Sequence, residues 1–351
     1  MKIVVAIDSF KNSASSLELG EAAKAGILVC LPDTEVKVFE IADGGEGTIS
    51  ALRQTLQGEM ISVETLDLLR RPITAHYLLA DDTAVIESAQ VAGIDKIIPD
   101  SVTVQKATSF GLAAVIRDAA ERGAAEIILT LGGSGTSDGG LGLLAGLGVE
   151  LENLSGTFPK LPRLIGLADV VNPYAGSTGY AYFFGAQKGA TAEIMAAQDK
   201  QAQQVVEQVK QQLGLDLQAI PGSGAAGGLG AAVAILGGKI ELGFPKIAEL
   251  LKIEDEIADA DLVLTGEGRM DAQTASGKVP YGMALLAAKH KVPVIALCGS
   301  LADDLSQLDE ILTAAYSIQT GPISLEEAMD KTTTLDNMRR LSKNIVKTWF
   351  H

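Results

Sequence analysis

Ile3-Val4-Val5-Ala6-Ile7, running into Asp8-Ser9-Phe10-Lys11, is the stretch that sets the fold class. Five consecutive apolar residues bounded by a polar turn read as a fully buried strand. Behind the turn, Ser15 and Glu18 have capping-box spacing. Leu19, Ala22, Ala23, Ala25, Gly26, Ile27 and Cys30 then keep one helical face apolar. Pro32-Asp33 stops that helix, and Glu35–Ile41 returns as a second strand. A strand, helix and strand in this order form a βαβ unit, whose strands pair in parallel.

The same juncture of apolar strand and polar loop recurs. Val36–Ile41 leads into Asp43-Gly44-Gly45-Glu46-Gly47, and Ile127–Leu131 leads into Gly132-Gly133-Ser134-Gly135-Thr136-Ser137-Asp138-Gly139-Gly140. Leu262–Leu264 leads into Gly266-Glu267-Gly268-Arg269-Met270-Asp271. Ligands of open α/β sheets bind at strand ends. Glycine admits backbone N–H groups close to an anion, and carboxylates hold the Mg²⁺ that a polyphosphate requires. The repetition therefore points to an enzyme that handles phosphate.

Between these motifs the texture varies. Thr48–Leu56 reads as a helix, and Met60–Leu69, Ile73–Leu79 and Thr83–Glu87 read as an antiparallel meander. Helical patterns cover Phe110–Arg122 and Glu193–Leu213, and 214–238 is rich in Gly and Ala. The βα rhythm returns with Asp261–Thr265, a helix near Val279–His290, and Pro293–Leu297. One final helix, Leu325–Ile345, is expected to pack into the core. The expected fold is α/β: a Rossmann-like parallel-sheet domain formed by both chain ends, 1–60 and 256–351, with an inserted second mixed α/β domain, 61–255. The cleft between them is the expected active site.

The chain has 351 residues, enough for two domains. With 47% hydrophobic and 21% charged residues it has the make-up of a folded enzyme rather than a disordered chain. A net charge of −16 and no Lys/Arg run argue against nucleic acid or an anionic membrane as partner. The same field repels nucleotide, so a phosphate site needs local cations, oriented amides and a metal ion. Cys30 and Cys298 lack metal-type spacing and are expected to be buried free thiols in a reducing compartment. The N-terminus reads as a strand rather than a signal peptide. Pro221 and seven glycines break the longest uncharged stretch, Leu217–Gly238, so a cytoplasmic protein is expected.

Standard nucleotide signatures fail. Gly277-Lys278 lacks a P-loop's upstream glycine, and Val279 stands where a hydroxyl would hold Mg²⁺. Gly222-Ser223-Gly224-Ala225-Ala226-Gly227 spells G-x-G-x-x-G without a leading strand, and close packing on glycines accounts for it better. His76, His290 and His351 form no hydrolase or metal set. Asp43 and Glu46 repel across two glycines unless a cation lies between them. The five glycines of Gly132–Gly140 carry a large ordering cost, understandable if amides and hydroxyls cradle phosphate. Arg71 and Glu87 read either as cleft residues or as strand-edge charges.

In order along the chain, Asp8–Lys11, Asp43–Gly47, Thr108-Ser109-Phe110-Gly111, Gly132–Gly140, Asn172-Pro173, Gln187-Lys188-Gly189, Pro221–Gly228 and Gly266–Asp271 resemble the type I glycerate kinase family from about Ile3 to Ser300. The resemblance implies ATP-dependent phosphorylation of D-glycerate with Mg²⁺, usually to 2-phospho-D-glycerate plus ADP. Departures are Asn12 for the family's usual glycine after Lys11, Arg70 for a glycine before Arg71, Val171 for an acid, and Gly135 and Ser137 for Ala and Asn.

In the kinase reading, Gly132, Gly133, Ser134 and Thr136, with Gly222 and Gly224, hold the ATP phosphates. Lys188 or Lys278 reaches the transferring phosphoryl group. Asp43, Glu46 or Glu267 holds Mg²⁺; Lys11 and Arg71, with Ser9 and Asn172, bind glycerate; Asp271 or Asp8 accepts the hydroxyl proton. The expected partners are the small molecules glycerate and ATP, with a homodimer left open. The alternatives are a glycerate 3-kinase, a phosphoglycerate mutase or isomerase, and a non-catalytic two-lobed ligand sensor.

Overall fold

The computed structural model describes residues 1–45, 47–154, 158–305 and 307–350, and of Gln54 and Ser276 the backbone alone. In chain order the strands are β1 (Lys2–Ile7), β2 (Glu35–Phe39), β3 (Glu59–Leu66), β4 (Pro72–Ala80), β5 (Thr83–Glu87), β6 (Glu126–Thr130), β7 (Arg163–Ala168), β8 (Lys239–Leu242), β9 (Leu262–Gly266), β10 (Arg269–Met270), β11 (Val294–Cys298), β12 (Ser300–Leu301) and β13 (Ala314–Ser317). The chain divides into two compact units: Met1–Asp43, Ser50–Leu52 and Phe244–His351 form one, and Gly44–Ile49 and Arg53–Gly243 the other.

The first unit is Rossmann-like and built from both chain ends. Its five-stranded sheet has the order β13-β11-β9-β1-β2, parallel throughout. From β1 the chain crosses to β2 through helix α1 (Ser16–Cys30), while β9, β11 and β13 extend the sheet the other way. The order therefore reverses between β1 and β9, and the carboxyl ends of those two strands flank a topological switch point. Ile3, Val5 and Ile7 alternate into a core with Leu262, Leu264, Ile295, Leu297, Leu19 and Ile27.

The second unit carries a mixed six-stranded sheet, β3-β4-β5-β6-β7-β8. The pairs β3–β4 and β4–β5 are the expected antiparallel meander, and β5 to β8 then pair in parallel. Tyr77, Ile86, Leu112, Ile116, Ile127, Leu129, Leu229 and Val233 are among its core residues. The mixed α/β character and the meander match the sequence-based expectation.

Three expectations need correction. The final helix is two helices, Leu325–Met329 and Lys331–Trp349, separated at Asp330, whose extended backbone and side chain cap the second. Its carboxylate accepts the Thr333 N–H at 2.8 Å. Apolar spacing continued across the break and hid it, and Leu325, expected in the core, is 75% exposed. Cys30 is only half-buried, although both thiols are unpaired and Cys298 is buried. Among the described residues no helix is long and apolar enough to cross a membrane.

Helix α1 lies against Lys331–Trp349 at Gly26, where an added Cβ would collide with the backbone carbonyl of Arg339. Alanine gains ~1 kcal/mol over glycine in a helix interior, but overpacking against backbone that cannot rotate away costs about 1–3 kcal/mol. Gly26→Ala is therefore expected to lower the urea midpoint. An unchanged or raised midpoint would show that the two helices are not held this closely.

Candidate active site

In the first unit the register of β1 on β9 does the positioning. Ile7 pairs with Gly266, so Asp8 and Glu267 follow side by side at the switch point. The Asp8 N–H donates to the Gly266 carbonyl at 2.9 Å. Gly266 is required there, because a Cβ would strike the Leu297 carbonyl of β11. Burial, then the charge of Asp43 and, after it, that of Glu267, push the Asp8 carboxyl up to about 7; the Ser9 N–H, donating at 2.7 Å, opposes them. Glu267 is itself raised by burial, opposed by the Thr274 hydroxyl donating at 2.5 Å and by Lys278 at 3.6 Å. Asp8, Ser9, Asp43, Glu267 and Lys278 thus gather within one unit, with exposed Lys11 on the turn after β1.

Asp271 has a different task. Its side chain accepts the Gln273 N–H at 2.9 Å and caps the short helix Ala272–Ser276, and Arg269 lies 3.8 Å from it. Each of the two candidate proton acceptors thus has one oxygen engaged by a backbone N–H, that of Ser9 for Asp8 and that of Gln273 for Asp271. Glu46 lies outside the described residues, as does His351. His76 and His290 are paired with Ser62 and Glu254, consistent with structural roles.

In the second unit the glycine loop after β6 is organised by Asp138. Its carboxylate accepts the Ser109 N–H at 2.7 Å, the Ser109 hydroxyl at 2.9 Å, the Thr108 hydroxyl at 3.2 Å, and the N–H groups of Gly140 and Gly142 at 3.1 and 3.2 Å. Thr108 and Ser109 entered the sequence reading only as part of a motif; their chemistry is this grip. Gly133, Gly139 and Gly140 have left-handed backbones that the loop's path requires. The Ser134 and Thr136 hydroxyls are buried and meet each other at 3.0 Å.

Lys188 is buried and its Nζ donates to the Thr136 carbonyl at 2.6 Å. Burial brings its ammonium down to about 8 against the nearby charge of Asp138. Gly227 packs so tightly on this loop that a Cβ would strike the Thr136 carbonyl. Ala226, Gly227 and Gly228 are three successive left-handed residues, a run that turns neighbouring N–H groups toward one side. Gly224 is pressed against the Pro173 carbonyl, with its N–H on Asn172 O at 3.0 Å, and no strand leads into the segment.

The remaining candidates sit apart from this loop's network. Arg71 pairs with Asp67 at 2.6 Å and donates to the Lys96 carbonyl at 2.9 Å, and the Asn172 side chain donates to Thr178 O at 2.8 Å. Glu87 is no strand-edge charge: it is buried at the end of β5 and accepts the Ile49 N–H at 2.9 Å. Beside it the hydroxyls of Ser88 and Thr130 are buried without a hydrogen-bond partner among the described residues. A lone carboxylate after a strand was the only sequence signal for Glu87.

Among the described residues no group of three or more His, Cys, Asp or Glu side chains is arranged to hold a metal ion. The oxygen donors of Asp43 and Glu267 nonetheless suit Mg²⁺, which commonly uses one or two carboxylates and completes its shell with water and substrate phosphate.

Comparison with known proteins decides the family. The sequence profile of the glycerate kinase family matches residues 3–160 and 153–350. The chain belongs to the glycerate kinase family. It is 36% identical to a glycerate kinase of Bacillus cereus and 35% identical to a glycerate 2-kinase of Escherichia coli K12, in both cases over 99% of this chain and 98% of the relative. A crystal structure described as a candidate glycerate kinase 2 from Salmonella typhimurium LT2 superposes with a TM-score of 0.81 at 34% identity, covering 99% of this chain and 98% of that one. The protein is accordingly a kinase, a phosphotransferase acting on an alcohol group, and the family implies ATP and a small-molecule acceptor.

Within that family two departures gain a physical reason. Asn12 and Arg70, which the resemblance marks as departures from glycine, both have left-handed backbones, φ 59° and 61°. Asparagine tolerates that region; Arg70 is also held by its guanidinium 5.0 Å above the Phe110 ring.

The two perturbed groups predict opposite pH signatures. Between pH 3.8 and about 7 the folded chain keeps the Asp8 proton that the unfolded chain releases, so stability falls as pH rises through that window. Asp8→Asn should therefore stabilise the protein at pH 8 by on the order of 4 kcal/mol, an advantage that vanishes at pH 3.5. For Lys188 the unfolded chain holds the extra proton between about 8 and 10.5, so stability rises with pH there. Wild type should gain about 3 kcal/mol on Lys188→Met across that window. Urea unfolding at each pH checks both, and parallel curves for variant and wild type would refute the assignments.

Proposed function

We propose that the protein transfers the γ-phosphoryl group of ATP to a hydroxyl of D-glycerate, giving 2-phospho-D-glycerate and ADP. The observation that carries this reading is geometric: the pairing of Ile7 with Gly266 sets Asp8 beside Glu267 at the switch point, with Asp43 near enough for its charge to act on Asp8. A proton acceptor works best when its affinity lies near the operating pH. Asp8 takes the proton from the attacking hydroxyl as the oxygen bonds to phosphorus. Lys11 and Ser9, on the same turn, bind the glycerate carboxylate and orient the acceptor.

Asp43 and Glu267 would hold Mg²⁺, with Glu46 as a further candidate; when bound, the ion neutralises charge on the phosphates. Lys278, held 3.6 Å from Glu267, supplies a second positive charge for the transferring group. In the second unit, the Gly132–Gly133 amides would offer N–H groups to nucleotide phosphate. The buried Lys188 adds positive charge under that loop rather than reaching out of it. Phosphoryl transfer asks mainly for positioning and charge neutralisation, which the acids, Lys11 and Lys278 of the first unit would supply at the switch point.

Phosphorus NMR of the product, with an ADP-release assay, tests the proposal. ADP should appear only when D-glycerate is present, and the product should be the 2-phosphate. Asp8→Asn should remain folded and lose about 10²–10⁴-fold in kcat, the range for a general base. Interconversion of phosphoglycerates without ATP, or binding without turnover, would overturn the reading; a 3-phosphate product would overturn its regiochemistry. An Asp8→Asn enzyme of near-normal kcat would remove Asp8 from its role.

A further inference from the structure

Helix α2 (Thr48–Leu56) begins without a side-chain cap of its own: its N-cap is Gly47, in a left-handed conformation. The first turn of a helix leaves N–H groups unsatisfied and carries partial positive charge. Glu87, distant in sequence and buried at the end of β5, answers both needs by accepting the Ile49 N–H at 2.9 Å. The preceding loop is closed by the buried Thr48 hydroxyl, which donates to the Gly45 carbonyl at 2.9 Å.

That loop has little room to move. An added Cβ on Gly132 would lie 2.6 Å from the Gly45 Cα, and one on Gly44 would lie 2.9 Å from the Gly243 Cα and 3.1 Å from the Leu167 Cβ. The two glycine-rich motifs, separate in sequence, are thus in backbone contact within the second unit. Asp43 is one peptide bond upstream of Gly44.

We propose that Glu87 is a positioning residue of the kinase: by capping α2 from a neighbouring strand it fixes the course of Gly44–Gly45 and so the placement of the Asp43 carboxylate. The role in catalysis rests on the kinase reading above; the placement of the loop does not. In this role Glu87 need not touch a reacting atom. It acts through the Ile49 amide and the glycines, and what it sets is how readily the acid loop takes up a divalent cation.

The test compares Glu87→Ala and Glu87→Gln in the full chain, with Ser324→Ala as control, since that change removes a side-chain cap at the remote helix Leu325–Met329. Hydrogen exchange without ligands should be at least 10-fold faster at the Ile49 amide in Glu87→Ala, and close to wild type in Glu87→Gln, which keeps a carbonyl acceptor. The Mg²⁺ concentration for half-maximal activity, at saturating ATP and D-glycerate, should rise about 10-fold in Glu87→Ala and less than about 3-fold in Glu87→Gln. It should not move in Ser324→Ala. Unchanged exchange at Ile49, an unshifted Mg²⁺ requirement in Glu87→Ala, or equal damage from Gln and Ala would each overturn the proposal. A wild-type chain that turns over no glycerate would overturn the kinase reading and this catalytic role, with the exchange result still judging the cap.

Discussion

Negative charge crowded at the end of a parallel sheet is the constraint on which the rest depends. Parallel pairing brings the carboxyl ends of all strands to one edge, and the register of Ile7 on Gly266 sets Asp8 beside Glu267. Buried Glu267 and half-buried Asp8, with Asp43 close by, are unfavourable in a chain that already carries a net charge of −16. Local groups offset part of that cost: the Ser9 N–H, the Thr274 hydroxyl and the Lys278 ammonium. What remains appears as the raised proton affinity of Asp8 and Glu267. Such residual strain is what a cation and a proton-releasing substrate would relieve.

The second unit handles its charged groups in the opposite way. Asp138 is saturated with donors from Thr108, Ser109, Gly140 and Gly142, so it acts as a clamp. The ordering cost of a loop with so many glycines is met inside the protein, by this clamp and by the Lys188 bond to Thr136. The glycines also allow close approach: Gly132 on Gly45, and Gly227 on Thr136, admit no side chain.

Much of the architecture was legible because it rests on local rules. The βαβ opening, the Ser15–Glu18 capping box, the meander and the Val279–His290 helix all follow from period, caps and breakers. The break at Asp330 escaped because apolar spacing on either side of it kept step, so periodicity could not report a change of axis. That Asp271 caps the short helix Ala272–Ser276 was not legible, because a carboxylate in a glycine loop looks the same whether or not it caps a helix.

The order of its motifs was enough, from sequence alone, to assign this chain to its family and to the α/β class, since each motif encodes local backbone geometry and strand ends collect ligands. Which carboxylate is perturbed, which is clamped, and that Glu87 reaches the first turn of α2 were decided by tertiary structure alone. Proton affinity and hydrogen-bond partnership depend on burial and on distances between strands that are remote in sequence. No spacing along the chain encodes those distances.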